Sequence, residues 1–216
     1  EAGHAIVGAM VPDYDQVQKI SIVPRSNGAG GLTFFAPSEG RLETGMYSKQ
    51  YLESQLAVAL GGRLAEEIIY GEDKVTTGAS NDIQQVANIA KRMVQEWGMS
   101  EKVGSVCLDE SGGSPQFMGM GLLSGRTIWG DKINEVVEEE IERLVNNSYM
   151  MAKKILLENY DLFEQLTQAL LEREVVSAEE FQMMLYENKS RSVNYGLIGD
   201  ETNRDKLPFK ELPKTV

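Results

Sequence analysis

The chain opens with Glu1-Ala2-Gly3-His4-Ala5-Ile6-Val7-Gly8-Ala9-Met10, and this stretch decides where its helical core begins. Small and apolar residues fill the stretch, and Pro12 follows it. Proline lacks the backbone N–H that a continuing helix would need. We therefore predict a short helix from Glu1 to about Val11. This helix would carry His4, which is the single histidine of the chain.

The first four residues match the end of the motif H-E-x-x-H. In that motif two histidines one helical turn apart hold Zn²⁺ from one helix face, and the Glu between them activates a water molecule. The first His of the motif would stand before Glu1. Because the chain begins at Glu and not at Met, we predict that it is a fragment and that any targeting or membrane segment lies upstream. E-x-x-H alone is a weak signal, because unrelated helices match it by chance.

The composition limits the classes of function. A chain of 216 residues with 42% hydrophobic residues can bury one core, or one core and a small appendage. The net charge of −12 argues against nucleic acid as a partner, because phosphate binding needs clustered Lys and Arg. The single cysteine, Cys107, excludes an intrachain disulfide and a cysteine-based zinc site. No apolar run approaches the roughly 18 residues that span a bilayer.

The pattern of apolar residues predicts a mainly α fold with a small β-sheet or hairpin near the N-terminus. Two β-rich runs, from Val17 to Pro24 and from Leu32 to Phe35, predict the two strands of the hairpin. A polar loop is expected from Ser38 to Tyr47. Apolar residues at helical spacing then predict the main helices, which are Ser48–Gly71, Ile83–Trp97, Ile133–Glu158, Leu162–Glu172 and Phe181–Tyr186.

Local signals add detail to this framework. Gly61-Gly62 interrupts a predicted helix, where each glycine costs about 1 kcal/mol relative to Ala. We infer that another element packs closely at that point. Ser177-Ala178-Glu179-Glu180 is a capping box that opens the last helix. The glycine- and serine-rich stretch Glu110–Gly125 is a predicted mobile loop, and the polar residues 189–216 are a predicted flexible tail.

A catalytic zinc site needs three protein ligands and an open position for water. With one His and one Cys in the chain, a further ligand must be Asp or Glu. Glu66-Glu67 lies among apolar helix residues, and Asp82 opens a predicted helix. Each has a structural alternative. Glu66 can simply face solvent on an amphipathic helix, and Asp82 can be a first-turn acid that the helix dipole favours. The residues alone leave this choice open.

Several motifs occur in an order that resembles the peptidase domain of the FtsH family, which are membrane-anchored AAA+ zinc proteases. The resemblance covers about Glu1 to Asn188 and implies that residues 1–188 form a zinc peptidase domain, truncated at its N-terminus. The sequence around Phe35-Ala36-Pro37-Ser38-Glu39 and Gly45-Met46-Tyr47 is most similar to that of cyanobacterial and plastid members. The motifs that carry it are Glu1-Ala2-Gly3-His4-Ala5, Ile22-Val23-Pro24-Arg25, Gly31-Leu32-Thr33-Phe34-Phe35, Gly61-Gly62-Arg63-Leu64-Ala65-Glu66-Glu67 and Thr76-Thr77-Gly78-Ala79-Ser80-Asn81-Asp82-Ile83.

The resemblance implies a role for each matching site residue. Glu1 corresponds to the general base that acts on a water molecule held by zinc. His4 corresponds to the second histidine ligand and Asp82 to the carboxylate ligand. Glu66 corresponds to a carboxylate near the zinc helix that orients a ligand imidazole. The implied cofactor is Zn²⁺, whereas ATP and Mg²⁺ would bind only in an upstream module.

The resemblance also implies partners and a location. Family members form hexamers, so the peptidase ring would be a homo- or hetero-hexamer. An upstream AAA+ domain and a membrane anchor would belong to the parent protein. Its substrates would be unfolded or damaged membrane proteins, and no nucleic acid is expected. The parent would be membrane-associated, in the chloroplast thylakoid by resemblance, and residues 1–216 themselves would be soluble.

Two expectations concern activity. His4 and Asp82 alone form a two-ligand site, and the α-ammonium of Glu1 would disfavour a cation nearby. We therefore expect the isolated chain to bind little zinc and to be inactive. The strand from Gly31 to Phe35 is a candidate edge for extended substrate, with a core strand as the alternative.

Two other functions stay open at this point. The chain could be a catalytically inactive FtsH-like ring scaffold or chaperone-type domain. It could also be a helical interaction domain in which E-x-x-H is accidental. The residue before Glu1 discriminates the enzyme from the inactive scaffold, because His there supports the enzyme. Metal analysis of a chain extended by a few residues would reject the accidental E-x-x-H.

Overall fold

The helices and strands follow the predicted order in the computed structural model, which describes residues 1–24, 30–108 and 131–196. The helices are α1 (Ala2–Met10), α2 (Glu39–Thr44), α3 (Lys49–Tyr70), α4 (Ser80–Gln95), α5 (Asp131–Glu158), α6 (Tyr160–Arg173) and α7 (Ala178–Gly196). The strands are β1 (Gln16–Ser21), β2 (Leu32–Ala36) and β3 (Val175–Ser177). The predicted mainly α fold with a small sheet near the N-terminus is confirmed.

The sheet has the order β2-β1-β3, and both pairings are antiparallel. The predicted β1–β2 hairpin is therefore correct, with a bulge between Val17 and Lys19. Strand β3 was not predicted. It has only three residues, and it owes its conformation to pairing with β1, where Ile20 faces Val176. Within the described sheet β2 pairs only with β1, so it forms one edge.

The core is organised around α3, which packs against α1, α4 and α5. Burial of each large aliphatic side chain contributes about 1.5–3 kcal/mol. Serine at position 48 begins α3, because its hydroxyl accepts a hydrogen bond from the Tyr51 N–H at 3.0 Å. The largest side chains that are almost completely buried include Ile6, Ile20, Leu56, Leu64, Met93, Leu144, Leu156, Leu162, Leu166 and Phe181.

Helix α1 crosses α3 at very short distance. A Cβ atom added to Gly3 would lie 2.2 Å from the carbonyl oxygen of Gly61. A Cβ atom added to Gly61 would lie 2.8 Å from the carbonyl oxygen of Gly3. The close packing that the sequence predicts at Gly61 is confirmed, and the partner is the helix that carries Glu1 and His4. Glycine is needed at both positions because backbone meets backbone.

Two elements differ from the sequence predictions. The predicted loop from Ser38 to Tyr47 contains helix α2, which has no buried residue. Its attachment is electrostatic: Arg41 forms ion pairs with Asp13 at 2.6 Å and Asp15 at 2.5 Å. Apolar periodicity could not reveal a helix held in that way. Helix α7 also continues to Gly196, past residue 189 where the tail was predicted to begin.

Other features of the chain complete this comparison. The capping box of α7 forms as predicted, with Ser177 N–H donating to Glu180 at 3.1 Å and Glu180 N–H donating to the Ser177 hydroxyl at 3.3 Å. The predicted 110–125 loop and residues 197–216 of the tail lie outside the described residues. Over the described ranges, no helix has the length and apolar character that a bilayer crossing requires.

A buried carboxylate joins α5 to the turn after α4. Glu140 is 1% exposed and accepts hydrogen bonds from Arg143 at 2.9 Å and from the Ser100 hydroxyl at 2.8 Å. The hydrogen bonds from Arg143, the largest influence, outweigh burial and lower the pKa of Glu140 from 4.5 to about 2. The charged carboxylate is thus the form that the folded protein favours.

We expect Glu140→Gln to destabilise the protein in a pH-dependent way. The folded-state pKa lies below the unfolded one, so the charge of Glu140 stabilises the fold above about pH 4.5. That contribution, at most about 3 kcal/mol, is lost as the pH falls towards 2. Urea unfolding of both proteins at pH 7 and pH 3 measures it. An equal difference in unfolding free energy at the two pH values would contradict this assignment.

Candidate metal and catalytic site

The imidazole of His4 is fixed by the helix behind it. Its Nδ1 lies 2.7 Å from the carbonyl oxygen of Val58 on α3. A carbonyl only accepts, so Nδ1 carries the proton, and in the neutral ring Nε2 keeps a free lone pair. A Cβ atom on Gly62 would lie 2.5 Å from Nε2, so glycine at that position leaves room for the ring. The Gly61-Gly62 pair thus serves both the helix crossing and the histidine.

Asp82 faces this lone pair across a short gap. Its Oδ2 lies 3.5 Å from Nε2 of His4, and the two side chains are 34% and 17% exposed. This separation is longer than an ordinary hydrogen bond. Two ligands at about 2.1 Å from a tetrahedral Zn²⁺ stand about 3.4 Å apart. The pair therefore fits two ligand atoms of one ion, and without metal it can form an ion pair when His4 is protonated.

The two other candidate carboxylates have separate partners. Glu66 accepts hydrogen bonds from the Thr76 N–H at 2.7 Å and from its hydroxyl at 2.9 Å. It therefore anchors the segment that leads into α4 and Asp82. Glu67 accepts from Tyr149 at 2.7 Å and Lys153 at 2.8 Å, both on α5. Burial raises the pKa of Glu67, but these hydrogen bonds outweigh it and leave the pKa below its usual value.

Glu1 is held by strand β2. The Thr33 hydroxyl lies 2.6 Å from Oε2 of Glu1 and 3.2 Å from its backbone carbonyl oxygen. A Cβ atom on Gly31 would lie 2.7 Å from both Cγ and Oε1 of Glu1. The carboxylate thus lies against the beginning of the edge strand. Sequence reasoning did not find this contact, because the position of β2 beside α1 is a tertiary feature with no local signal.

The described residues contain no cluster of three His, Cys, Asp or Glu side chains that could hold a metal ion. His4 and Asp82 are two candidate ligands. The motif H-E-x-x-H puts one further histidine directly before the Glu, one helical turn from the second histidine. The geometry of His4 and Asp82 agrees with such a set, because their free acceptor atoms converge from two helices.

Known proteins match nearly the whole chain. The sequence model of Peptidase family M41 matches residues 1–184. The chain is 52% identical over 191 residues to the ATP-dependent zinc metalloprotease FtsH 3 of Synechocystis sp., covering 88% of the chain and 30% of that protein. It is 50% identical over 190 residues to the chloroplastic ATP-dependent zinc metalloprotease FTSH 5 of Arabidopsis thaliana, covering 88% of the chain and 27% of that protein. The chain therefore spans less than a third of the length of these relatives.

Proposed function

Because this chain belongs to Peptidase family M41, we propose that it is the proteolytic module of an ATP-dependent, membrane-anchored zinc metalloendopeptidase. Its substrates in this proposal are unfolded or damaged membrane proteins. The single observation that carries the proposal is the convergence of His4 and Asp82 at 3.5 Å in a chain of this family. The two residues are 78 positions apart in sequence, so their meeting depends on the whole α1–α3–α4 packing.

Each site residue has a defined task in this proposal. Nε2 of His4 and the carboxylate of Asp82 would hold Zn²⁺, together with the histidine that the motif places before Glu1. When bound, Zn²⁺ supplies a Lewis acid and lowers the pKa of water to about 7. Glu1 accepts the proton of the attacking water, since a carboxylate within hydrogen-bond reach is a sufficient base at that pKa. Glu66 orients the site by holding Thr76 and the entrance to α4.

Strand β2 is the proposed substrate edge. It lies at the edge of the described sheet, and Phe34 is 50% exposed on it. An extended peptide can add to such an edge through backbone hydrogen bonds that are independent of sequence. We expect peptides N-methylated at alternate amides to lose affinity when the methyl groups face β2. Equal inhibition by both N-methyl registers would count against this role for Gly31–Phe35.

The names and lengths of the relatives support a proposal for the parent protein. The matched regions make up 30% and 27% of two relatives that are named ATP-dependent zinc metalloproteases, and we propose that ATP and Mg²⁺ bind outside residues 1–216. We propose an upstream AAA+ module, a membrane anchor and a hexameric peptidase ring, either homo- or hetero-oligomeric. Relatives from Arabidopsis and rice are named chloroplastic, which supports a chloroplast location for the parent protein, and we propose the thylakoid membrane within it.

Adding one residue tests the function directly. We expect residues 1–216 alone to lose zinc on dialysis against a weak chelator, because the residues that the structure describes offer only His4 and Asp82 as ligands. A chain with His placed before Glu1 should keep close to one equivalent of zinc and cleave an unstructured fluorogenic peptide. The added residue also moves the α-ammonium away from the Glu1 carboxylate. Zinc content by atomic absorption and the rate of peptide cleavage are the two measurements.

The control carries Ala before Glu1 instead of His, so that it moves the α-ammonium equally without adding a ligand. It should behave like the chain as given. Near-stoichiometric zinc in the Ala control would contradict the two-ligand interpretation. Zinc bound by the His form without any cleavage would favour the alternative function, an FtsH-like ring scaffold without activity.

A further inference from the structure

We propose that Thr33 is the positioning residue for the Glu1 carboxylate, so that the edge strand and not the zinc helix sets the orientation of the general base. This inference rests on the proposed function, in which Glu1 accepts a proton from water. Among the described contacts, the hydrogen bonds of the Thr33 side chain go to Glu1 and not to His4 or Asp82, the proposed metal ligands. Its evidence is two contacts with Glu1, one from Thr33 in β2 and one from Gly31, which directly precedes β2.

The first contact is a short hydrogen bond. The Thr33 hydroxyl is 2.6 Å from Oε2 of Glu1, within the range of O–H···O⁻ bonds to a charged carboxylate. The same hydroxyl is 3.2 Å from the Glu1 carbonyl oxygen. A hydroxyl has one proton, and the shorter distance assigns it to the carboxylate. Oε2 is therefore engaged, and Oε1 is the oxygen left to accept a proton.

The second contact is steric. A Cβ atom added to Gly31 would lie 2.7 Å from Cγ and from Oε1 of Glu1. The Glu1 side chain therefore packs directly against the backbone of Gly31. Gly31 directly precedes β2 and Thr33 is its second residue, and both approach the Glu1 carboxylate. Together they form a seat for the Glu1 carboxylate: Gly31 contacts it sterically, and Thr33 donates one hydrogen bond to it. β1 holds this seat in register, since Thr33 faces Ile20.

The seat matters because a Glu side chain is flexible. Three torsions separate its carboxylate from the backbone, and fixing them has an entropic cost. A general base must stand within hydrogen-bond reach of its proton, and a misplacement of 1 Å can lower a rate about 10²-fold. Thr33 supplies this fixation from the strand that we propose to bind substrate. Base and substrate are then aligned by one element.

The test uses the full-length protease with its metal and compares Thr33→Val with Thr33→Ser. Valine keeps the shape and the strand preference but removes the donor, whereas serine keeps the donor. We expect Thr33→Val to lower kcat about 10- to 100-fold with KM, zinc content and thermal unfolding midpoint unchanged. Thr33→Ser should restore most of kcat. A crystal structure of the Val variant should show the Glu1 side chain in more than one rotamer.

Thr167→Val is the matched control. Its hydroxyl donates to the Phe163 carbonyl at 2.7 Å within α6, away from Glu1, so kcat should not change. Unchanged kcat in Thr33→Val, or no rescue by serine, would overturn the positioning role. A parallel loss of zinc or of thermal stability would assign Thr33 a structural role instead. If the wild-type protein shows no metal-dependent cleavage, the proposed function itself fails, which is a separate outcome.

Discussion

Replacing Glu1 by Gln is expected to lower peptide cleavage about 10²- to 10⁴-fold while leaving zinc in place. Gln has the same shape and can still accept the Thr33 hydrogen bond through its amide oxygen, so the side chain stays on its seat. It cannot take a proton from water at neutral pH. Cleavage rate and zinc content of the chain with His before Glu1 measure both effects.

Asp82→Asn in the same protein should lose zinc and activity together, because a neutral amide replaces a charged ligand. Asp161→Asn is its matched control, since Asp161 is also an acid in the first turn of a helix, α6. If Asp82 only complemented the helix dipole, both substitutions would cost about 0.3–1 kcal/mol of stability and neither would change the metal. Zinc retained by Asp82→Asn would remove this residue from the ligand set.

A large loss of stability is expected from a substitution at the crossing of α1 and α3. Gly3→Ala puts a methyl group 2.2 Å from the Gly61 carbonyl oxygen, where no rotation can relieve the contact. Helices α1 and α3 must separate, at a cost of about 3 kcal/mol or more. His4 follows α1, so its bond to Val58 and its distance to Asp82 should both change. We expect a lower midpoint in urea unfolding and loss of zinc in the His-extended chain.

Gly40→Ala is the control for this substitution. Gly40 lies in α2, and an added Cβ atom would meet nothing within 4 Å. Alanine should leave the fold intact and stabilise it by up to about 1 kcal/mol through helix propensity. A Gly3→Ala protein as stable as this control would contradict the expected steric clash between α1 and α3.

The sequence predicted the parts of the fold that have local causes. Helices α3 and α5 followed from long apolar periodicity, and the Ser177 capping box from side chains adjacent to the helix start. The Gly61-Gly62 pair correctly indicated a close contact. Helix α2 and strand β3 could not be predicted in this way, because α2 is held by Arg41 ion pairs and β3 by pairing with β1.

The site shows the same division between local and tertiary information. Glu1, His4 and Asp82 are identified by motifs, and the structure brings His4 and Asp82 together. Their ligand and base roles stay predictions that the experiments above address. The Val58 carbonyl, the space at Gly62 and the hydroxyl of Thr33 carry no motif in the sequence. They become visible only when α1, α3 and β2 are in contact.

The burial of α1 separates two kinds of motion. Ala5, Ile6 and Val7 have no exposed surface, so the backbone amides of this helix exchange with solvent only when the domain opens cooperatively. The side chains of His4 and Asp82 keep 17% and 34% of their surface exposed. If these two residues are metal ligands as proposed, an ion would reach them through this exposed side of the site while the helix stays folded. We therefore expect removal of zinc from the His-extended chain to leave helix α1 folded and buried.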